Sequence, residues 1–330
     1  MPGAPNVKMD LSDPYNMDAA TPALREGPRC LFSILIGRVS TEDSSRIVET
    51  LDALRAQEGS PAYEVIIADR RLDAVTELIR AKYPEASVLP CAAGTSLPEL
   101  RTLAFERARG DYIVITEDHC VPPKDWLASM FEAFRLAPEG TVAVGGAIEN
   151  GVCDTALDWA TFLCEYSAFV PPIRSGPATT LPGMNVAYHR SAITELDRAI
   201  LRRGFWERTV HPLLAQKGFV LYMNDEIRIL HKKKFSFRLF AHQRFLYSRY
   251  YAGLRFSQVQ IAARWAMCGL TLALPPLLLI RIVRNLTSKK HLLPQLARAL
   301  PLITVFVLIG VCGEVVGYTL GPGDALSRIE

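Results

Sequence analysis

The sequence predicts an α/β domain followed by a membrane-associated region, and three observations carry that prediction. Short apolar runs alternate with amphipathic stretches through the first half of the chain, which is typical of βαβ units and a mainly parallel sheet. Residues 1–226 carry 22 Lys and Arg against 31 Asp and Glu, whereas residues 227–313 carry 14 Lys and Arg and no acidic residue. Residues 299–320 contain one charge, Glu314, and are long enough to cross a hydrocarbon core.

The elements of the first half follow from hydrophobic spacing. Apolar runs predict strands at 31–36, 64–68, 87–89, 112–116 and 142–148. Helical spacing predicts helices at 42–57, 72–83, 98–109 and 126–136. Ligands of such sheets bind beyond the carboxyl ends of the strands. We therefore expect residues 37–40, 69–71 and 117–120 to surround one crevice.

The pattern changes after Gly151. An amphipathic, aromatic-rich stretch at 154–169 precedes a loop and a predicted return strand at 183–188. A helix at 206–217 and two strands, 219–223 and 227–230, complete the domain. The predicted organisation is a flexible tail at 1–28 and a folded domain at 29–235.

The last third of the chain predicts membrane contact. We expect a basic interfacial helix at 236–261, a membrane region at 262–322 with segments 264–284 and 299–320, and a tail at 323–330. The segment between Arg264 and Arg281 is short for a span and contains Pro275 and Pro276, so it forms either a re-entrant hairpin or a full span. A re-entrant hairpin would keep the basic linker that follows it on the cytoplasmic side.

Charge and cysteine content narrow the class of protein. Basic residues beside apolar segments indicate contact with anionic lipid rather than with nucleic acid. The seven cysteines include no CxxC pair, which argues against a disulfide framework or a zinc knuckle and favours a reduced, cytoplasmic domain. The expected location is the inner membrane, with the folded domain in the cytoplasm.

The strongest chemical signal is the segment YIVITEDHCVPPKDW at 112–126. A buried strand ends there in Glu117, Asp118 and His119. Carboxylate oxygens and one imidazole suit Mg²⁺ or Mn²⁺ bridging a diphosphate. The alternative is a solvated turn in which an aspartate caps a helix.

This segment resembles the corresponding part of family 2 glycosyltransferases, which have a GT-A fold. The resemblance lies in the frame ARGDY at 108–112 and VPPKDW at 121–126, and it extends over about residues 29–255. It implies a nucleotide-sugar donor, a divalent metal and inversion at the anomeric carbon. The family's Asp-x-Asp motif is replaced here by Glu117 and His119 as metal ligands, with Asp118 between them as a donor-binding residue.

Four further residues match donor-binding positions of the family. Asp69 ends the second strand, where the resemblance implies contact with the nucleotide base. Arg101 lies on the helix that faces the donor, although a surface arginine is an equally good interpretation. Gly183 and Asn185 belong to LPGMNVAYHR at 181–190, which is similar to the strand beneath the donor sugar.

The resemblance also implies a catalytic base and further ligands. Glu207 is the one carboxylate in the segment that corresponds to the base, but a glutamate there also complements a helix dipole. His231 is a candidate third metal ligand. Arg244 and Arg249 are candidate donor-phosphate ligands on the basic helix.

The predicted function is transfer of a sugar from a nucleotide-diphosphate sugar to a lipid or lipid-linked acceptor at the cytoplasmic face. The alternative is a catalytically degenerate GT-A-like protein that binds at the membrane, which the unusual Glu-Asp-His motif motivates. A nucleotidyltransferase is disfavoured because no glycine- and lysine-rich loop follows the first strand. A channel-forming synthase is disfavoured because one or two apolar segments cannot build a pore.

Overall fold

The computed structural model describes residues 30–42, 44–255, 260–271 and 273–330, and the predicted flexible tail at 1–28 lies outside them. Over the described residues the chain forms one sheet of nine strands in the order β3-β2-β1-β4-β8-β6-β9-β5, with β7 paired to β9. The strands are β1 (Phe32–Arg38), β2 (Tyr63–Asp69), β3 (Ser87–Pro90), β4 (Tyr112–Glu117), β5 (Cys120–Val121), β6 (Thr141–Asn150), β7 (Gly176–Ala178), β8 (Val186–His189) and β9 (Val220–His231).

Helices flank this sheet and then form a separate helical layer. Those within the sheet domain are α1 (Ile47–Arg55), α2 (Ala74–Lys82), α3 (Leu97–Arg107), α4 (Trp126–Leu136), α5 (Ala156–Tyr166), α6 (Arg190–Thr194), α7 (Arg198–Gly204) and α8 (Glu207–Gln216). Those that follow it are α9 (Phe237–Leu254), α10 (Ile261–Thr271), α11 (Leu274–Thr287), α12 (Leu293–Leu320) and α13 (Ala325–Arg328). The predicted mainly parallel α/β architecture is confirmed.

The parallel half of the sheet brings the predicted crevice residues to one edge. Strand β1 pairs in parallel with β2 and β4, and Gly37 lies opposite both Ala68 and Glu117. The strands are buried on both faces, as their apolar sequences require. The carboxyl ends of β1, β2 and β4 therefore meet at one edge, as the sequence predicts.

One prediction for the second half of the domain is wrong. The two strands expected at 219–223 and 227–230 are a single strand, β9. Its pairing with β6 shifts register between Gly146 and Ala147, so that residues 225–227 form a bulge. Asp225 and Glu226, in the polar sequence Asn-Asp-Glu at 224–226, lie in this bulge and outside the regular ladder.

Three tyrosines of helix α9 pack beside the sheet domain. The rings of Tyr247, Tyr250 and Tyr251 lie 5.7–6.0 Å from that of Trp206, and Tyr250 is buried. This face of the predicted interfacial helix is therefore in contact with the protein, whereas Phe237 at its start is 45% exposed. The sheet domain supplies an aromatic partner, Trp206, that helical spacing on α9 alone could not reveal.

Helix α12 is mostly apolar, with Arg298 and Glu314 as its charged residues, and one stripe of it is buried. The stripe follows three- and four-residue steps along the helix through Leu296, Ala299, Ile303, Phe306, Gly310, Gly313 and Gly317. A Cβ at Gly313 would lie 2.3 Å from the Phe245 carbonyl oxygen, so glycine is what lets α9 approach this closely. Outward-facing residues such as Leu308 are exposed.

Among the described residues, Lys290–Leu320 is the one unbroken helix long and apolar enough to cross a membrane. Residues 262–271 and 274–287 together pass the same test, but they are bent by 48° where they meet. The bend lies just before Pro275 and Pro276, which occupy the first turn of α11, where proline is well tolerated. Lys289, one of the cations expected to set orientation, is buried and donates to the Ser167 and Val170 carbonyls.

Candidate active site

An open cavity lies at the carboxyl edge of β1 and β4, beneath the helical layer. Its sheet-side wall contains Glu117, Asp118, His119 and His231. The loop before β8 adds Gly183, and the start of α8 adds Glu207. Residues of α5, α9, α11 and α12 close the other side, namely Glu165, Tyr166, Arg244, Tyr247, Leu278, Ile282 and Val307.

Strand pairing assembles a candidate metal centre in this cavity. β5 pairs with the end of β9 so that Cys120 lies opposite His231, which brings His119 beside His231. Nε2 of His119 lies 3.1 Å from Nε2 of His231 and 3.2 Å from Oε2 of Glu117. The ligand atoms of Glu117, His119 and His231 all lie within 4.8 Å of one another.

The hydrogen bonding of His119 makes this group fit a divalent cation. Nδ1 of His119 lies 2.8 Å from Oδ1 of Asp118 and donates to it, and Nε2, the other ring nitrogen, lies beside Glu117 and His231. Metal-binding histidines are commonly held by a carboxylate in this way. Two ligand atoms that share a cation about 2.1 Å away lie about 3.0–3.4 Å apart, as do the two pairs that include Nε2 of His119.

The electrostatics of the group favour the ionised carboxylates and a neutral His231. Burial would raise the pKa of Glu117, but the hydrogen bond and charge of His119 and the charge of Arg101 outweigh it and lower the pKa to about 2. Burial and the nearby His119 lower the pKa of His231 to about 3. Both groups are thus in their metal-binding forms near neutral pH.

Asp118 has a second role beside the metal group. Its Oδ1 also accepts a hydrogen bond from Ser40 Oγ, 2.9 Å away, and Ser40 in turn accepts one from the buried Lys233 amine. Its Oδ2 is buried without a hydrogen-bond partner among the described residues. The carboxylate is therefore fixed in place with one oxygen unused.

Glu207 is the first residue of α8, and its carboxylate faces the cavity next to Gly183. A Cβ added at Gly183 would lie 2.5 Å from Glu207 Oε2, so the carboxylate needs a glycine there. Burial raises the pKa of Glu207, although its own backbone N–H and Arg101 act in the opposite direction. A carboxylate with a raised pKa at a cavity wall is suited to accept a proton.

Arg101 connects the two halves of the site. The buried guanidinium donates from Nη2 to Glu117 Oε1, 3.2 Å away, and from Nη1 to the Phe205 carbonyl, 3.1 Å away. It therefore fixes both the metal-binding carboxylate and the loop that precedes Glu207. The predicted surface alternative for Arg101 is wrong, because its side chain is 2% exposed.

Sequence reasoning missed Glu165, which ends the aromatic-rich helix α5. Its Oε1 lies 3.6 Å from Nη1 of Arg244, and both side chains line the cavity. Burial in the cavity raises the pKa of Glu165 despite the charge of Arg244. The available signal was a lone carboxylate within an otherwise apolar stretch at 160–166.

Three predicted donor-binding residues lie away from the cavity. Asn185 is fully buried and bonds Trp126 Nε1 and the carbonyls of Ala147 and Ile227. Asp69 is enclosed by Arg38 and Thr76. Arg249 donates to the Gly321 carbonyl, 3.2 Å away. The side chains of Asn185 and Asp69 are thus bonded within the protein, as is Nε of Arg249.

The comparison with protein families gives one match. Residues 40–196 match the model described as Glycosyl transferase family 2. A comparison with curated protein sequences finds no match.

Three similar solved structures are distant from this chain in sequence. A mannosyltransferase, PcManGT from Pyrobaculum calidifontis, solved with GDP-Man and Mn²⁺, is 15% identical, with a TM-score of 0.54 over 87% of each chain. TarS from S. aureus, solved with UDP-GlcNAc, is 11% identical, with a TM-score of 0.43 over 62% of this chain and 59% of that one. GalNAc-T7, solved with UDP, GalNAc and Mn²⁺, is 14% identical, with a TM-score of 0.46 over 63% and 45%.

The mainly parallel sheet with its carboxylate- and histidine-lined crevice, together with the likeness to the mannosyltransferase, gives the chain a GT-A type fold. The match at residues 40–196 identifies a family 2 glycosyltransferase domain within the chain. The candidate metal group Glu117, His119 and His231 lies partly beyond this match, because His231 comes from β9.

Proposed function

We propose that the protein transfers a sugar from a nucleoside-diphosphate sugar to a lipid or lipid-linked acceptor at the cytoplasmic face of the inner membrane, with inversion of the anomeric carbon. The observation that carries the acceptor class is the composition of the cavity. The apolar residues Leu278, Ile282 and Val307 of α11 and α12 line the same cavity as the candidate metal group and Glu207.

The donor end of this proposal rests on the sheet-side wall. Glu117, His119 and His231 would hold a divalent cation, which would neutralise charge on the departing diphosphate. Two imidazoles and one carboxylate suit Mn²⁺ better than Mg²⁺, which prefers oxygen ligands. The Mn²⁺ and GDP-Man of the mannosyltransferase that shares the fold support this assignment.

Glu207 is proposed as the base of a single displacement. Its raised pKa and its place on the cavity wall suit it to take the acceptor hydroxyl proton as that oxygen attacks the anomeric carbon. Asp118, with one unused oxygen, and Lys233 would orient the donor. Arg101 holds Glu117 and the loop before Glu207 in fixed positions relative to each other.

The acceptor end rests on the helical layer. The stripe of α12 that faces the sheet domain is buried, while its outward face and those of α10 and α11 expose large apolar residues: Trp265, Leu270, Leu277, Ile280, Val305 and Leu308. We propose that this outward face contacts lipid. Because α9 covers one side of α12, lipid can surround α12 only in part.

The test is turnover by the purified full-length protein in detergent. A panel of nucleotide-sugars is supplied with Mn²⁺, Mg²⁺ or EDTA, with and without an extract of bacterial lipids as acceptor. The proposal expects Mn²⁺-dependent release of one nucleoside diphosphate, and the lipid extract should increase this release. The sugar should be recovered on a lipid, with an anomeric configuration opposite to the one it has in the donor.

Glu207→Gln separates the enzyme from a degenerate binding protein. The variant should bind the donor as the wild type does but lose about 10²–10⁴-fold in transfer rate. Equal transfer rates for the variant and the wild type would show that Glu207 is not the base. Donor binding without turnover in the wild type, with any acceptor, would favour the binding protein.

A further inference from the structure

The residues after α12 return to the carboxyl edge of the sheet. We name residues 324–330 the strap. The Glu330 carboxylate accepts hydrogen bonds from Thr41 Oγ1 and Thr41 N, at 2.8 and 3.0 Å. The Arg70 guanidinium donates to the carbonyls of Ser327 and Ile329, at 2.9 and 3.3 Å. The strap is thus held by residues that follow β1 and β2.

The strap is anchored as a fixed part of the domain. Ala325 and Ile329 are buried, at 0% and 5% exposure, and belong to an apolar cluster that includes Val39 and, from α9, Leu246 and Tyr250. Gln243 of α9 also bonds the strap, donating to the Arg328 carbonyl and accepting from the Glu330 N–H. With these contacts the strap forms a fixed wall of the domain and not a mobile loop.

This wall faces the donor cavity. Ile329 and Glu330 line the same cavity as Glu117 and Asp118, together with Val39. The carboxyl ends of parallel strands are where α/β sheets bind their ligands. A donor bound at the metal group therefore has the strap as its neighbour at the ends of β1 and β2.

The side chains of the strap determine which part of the donor can bind beside it. A carboxylate repels a diphosphate, but it accepts hydrogen bonds from ribose hydroxyls or from a base N–H. Ile329 and Val39 offer an apolar surface to the flat face of a base. Asp69, the carboxylate that ends β2, is fully buried and paired with Arg38, so it does not supply this contact.

We propose that Glu330 and Ile329 form the nucleoside-binding part of the donor site, with Glu330 accepting hydrogen bonds from the ribose or the base. This inference rests on the proposed function, because it takes a nucleoside-diphosphate sugar as the donor. It assigns recognition of the nucleotide to a segment far outside the matched family 2 domain.

The experiment compares nucleoside diphosphates with inorganic pyrophosphate, which lacks the nucleoside. Full-length protein in detergent with Mn²⁺ is titrated calorimetrically with UDP, GDP, CDP and ADP, and separately with inorganic pyrophosphate. Glu330→Ala and Ile329→Ala should each weaken binding of the preferred nucleoside diphosphate about tenfold or more. Pyrophosphate affinity should stay within about twofold of the wild type, because the strap does not touch the diphosphate.

Leu326→Ala is the matched control, since Leu326 packs on the same strap but does not line the cavity. It should leave both affinities unchanged. Unchanged or tighter nucleoside diphosphate binding by Glu330→Ala would overturn the inference, as would equal weakening of both ligands. A wild type that binds pyrophosphate but no nucleoside diphosphate would instead refute the proposed donor class, and this inference with it.

Discussion

The two walls of the cavity are built in different ways. The sheet-side wall places Glu117 and His231 at strand ends and His119 in the turn between β4 and β5, and strand pairing fixes their spacing. The helical wall places Leu278 and Val307 on helices that follow the sheet domain in the chain. In the proposed function, the paired strands hold the reacting groups in fixed positions, and the helices accommodate an apolar acceptor.

The largest effect should come from breaking the sheet-side wall. His231→Ala removes one of the three candidate metal ligands, and the remaining two should bind Mn²⁺ at least tenfold more weakly. Transfer at micromolar Mn²⁺ should fall at least 100-fold. Electron paramagnetic resonance of free Mn²⁺ measures the affinity directly.

His291→Ala provides the control for this variant, because His291 is exposed on the linker that precedes α12. It should keep wild-type Mn²⁺ affinity and activity. Retention of tight Mn²⁺ binding by His231→Ala would remove His231 from the metal centre.

A smaller effect on the same wall is expected from Gly183→Ala. The new Cβ would lie 2.5 Å from Glu207 Oε2 and displace the carboxylate. Because a base displaced by about 1 Å can cost up to 10²-fold, kcat should fall about 10- to 100-fold while donor affinity changes little. Steady-state kinetics with saturating donor measures the change.

Gly94→Ala is the corresponding control, since a Cβ at Gly94 meets no atom within 4 Å. Its kcat should equal that of the wild type. A Gly183→Ala enzyme with normal kcat would show that Glu207 tolerates displacement and does not act as a positioned base.

The helical wall should respond to a different pair of substitutions. Leu278 lines the cavity, whereas its neighbour Leu277 faces outward and is 58% exposed. Leu278→Asn should reduce kcat/KM for the lipid acceptor about tenfold and leave donor hydrolysis within twofold. Leu277→Asn should leave kinetics in detergent unchanged and weaken binding to anionic vesicles. The same response from both variants would contradict an acceptor path along the inner face.

The smallest expected effect is a stability difference at Glu207. Burial raises its pKa, so the folded protein disfavours the ionised form, and the destabilisation grows as pH rises from the ordinary glutamate pKa through the raised one. Glu207→Gln removes this cost. It should raise Tm by a few degrees at pH 8 and leave it unchanged near pH 4, as scanning fluorimetry without metal would show. A higher Tm at both pH values would indicate a packing effect instead.

The contrast between the walls also explains what the sequence could predict. Apolar runs mark β1, β2 and β4, and the carboxyl-edge rule then places Glu117 and Asp118 at the crevice, whereas Arg101 is predicted only from the family resemblance. Glu207 joins them because it begins a helix beside the loop that carries Gly183. These residues depend on local pattern and strand order.

Other features depend on contacts between distant segments, which local pattern does not encode. Asp69 looks available at the end of β2, but Arg38 at the end of β1 pairs with it and encloses it. The tyrosines of α9 have the spacing of an interfacial helix, but they pack against Trp206. The strap carries no motif, and its place beside Thr41 is set by how α12 packs on α9.

The pairing of β5 with β9 has a consequence for the order in which the enzyme matures. His119 and His231 are 112 positions apart, so their approach requires nearly the whole sheet to close first. A chain that has emerged from the ribosome only as far as β8 has no complete cation site. Cation capture therefore comes late in folding, and because a bound ion stabilises only the closed sheet, it also makes that closure harder to reverse.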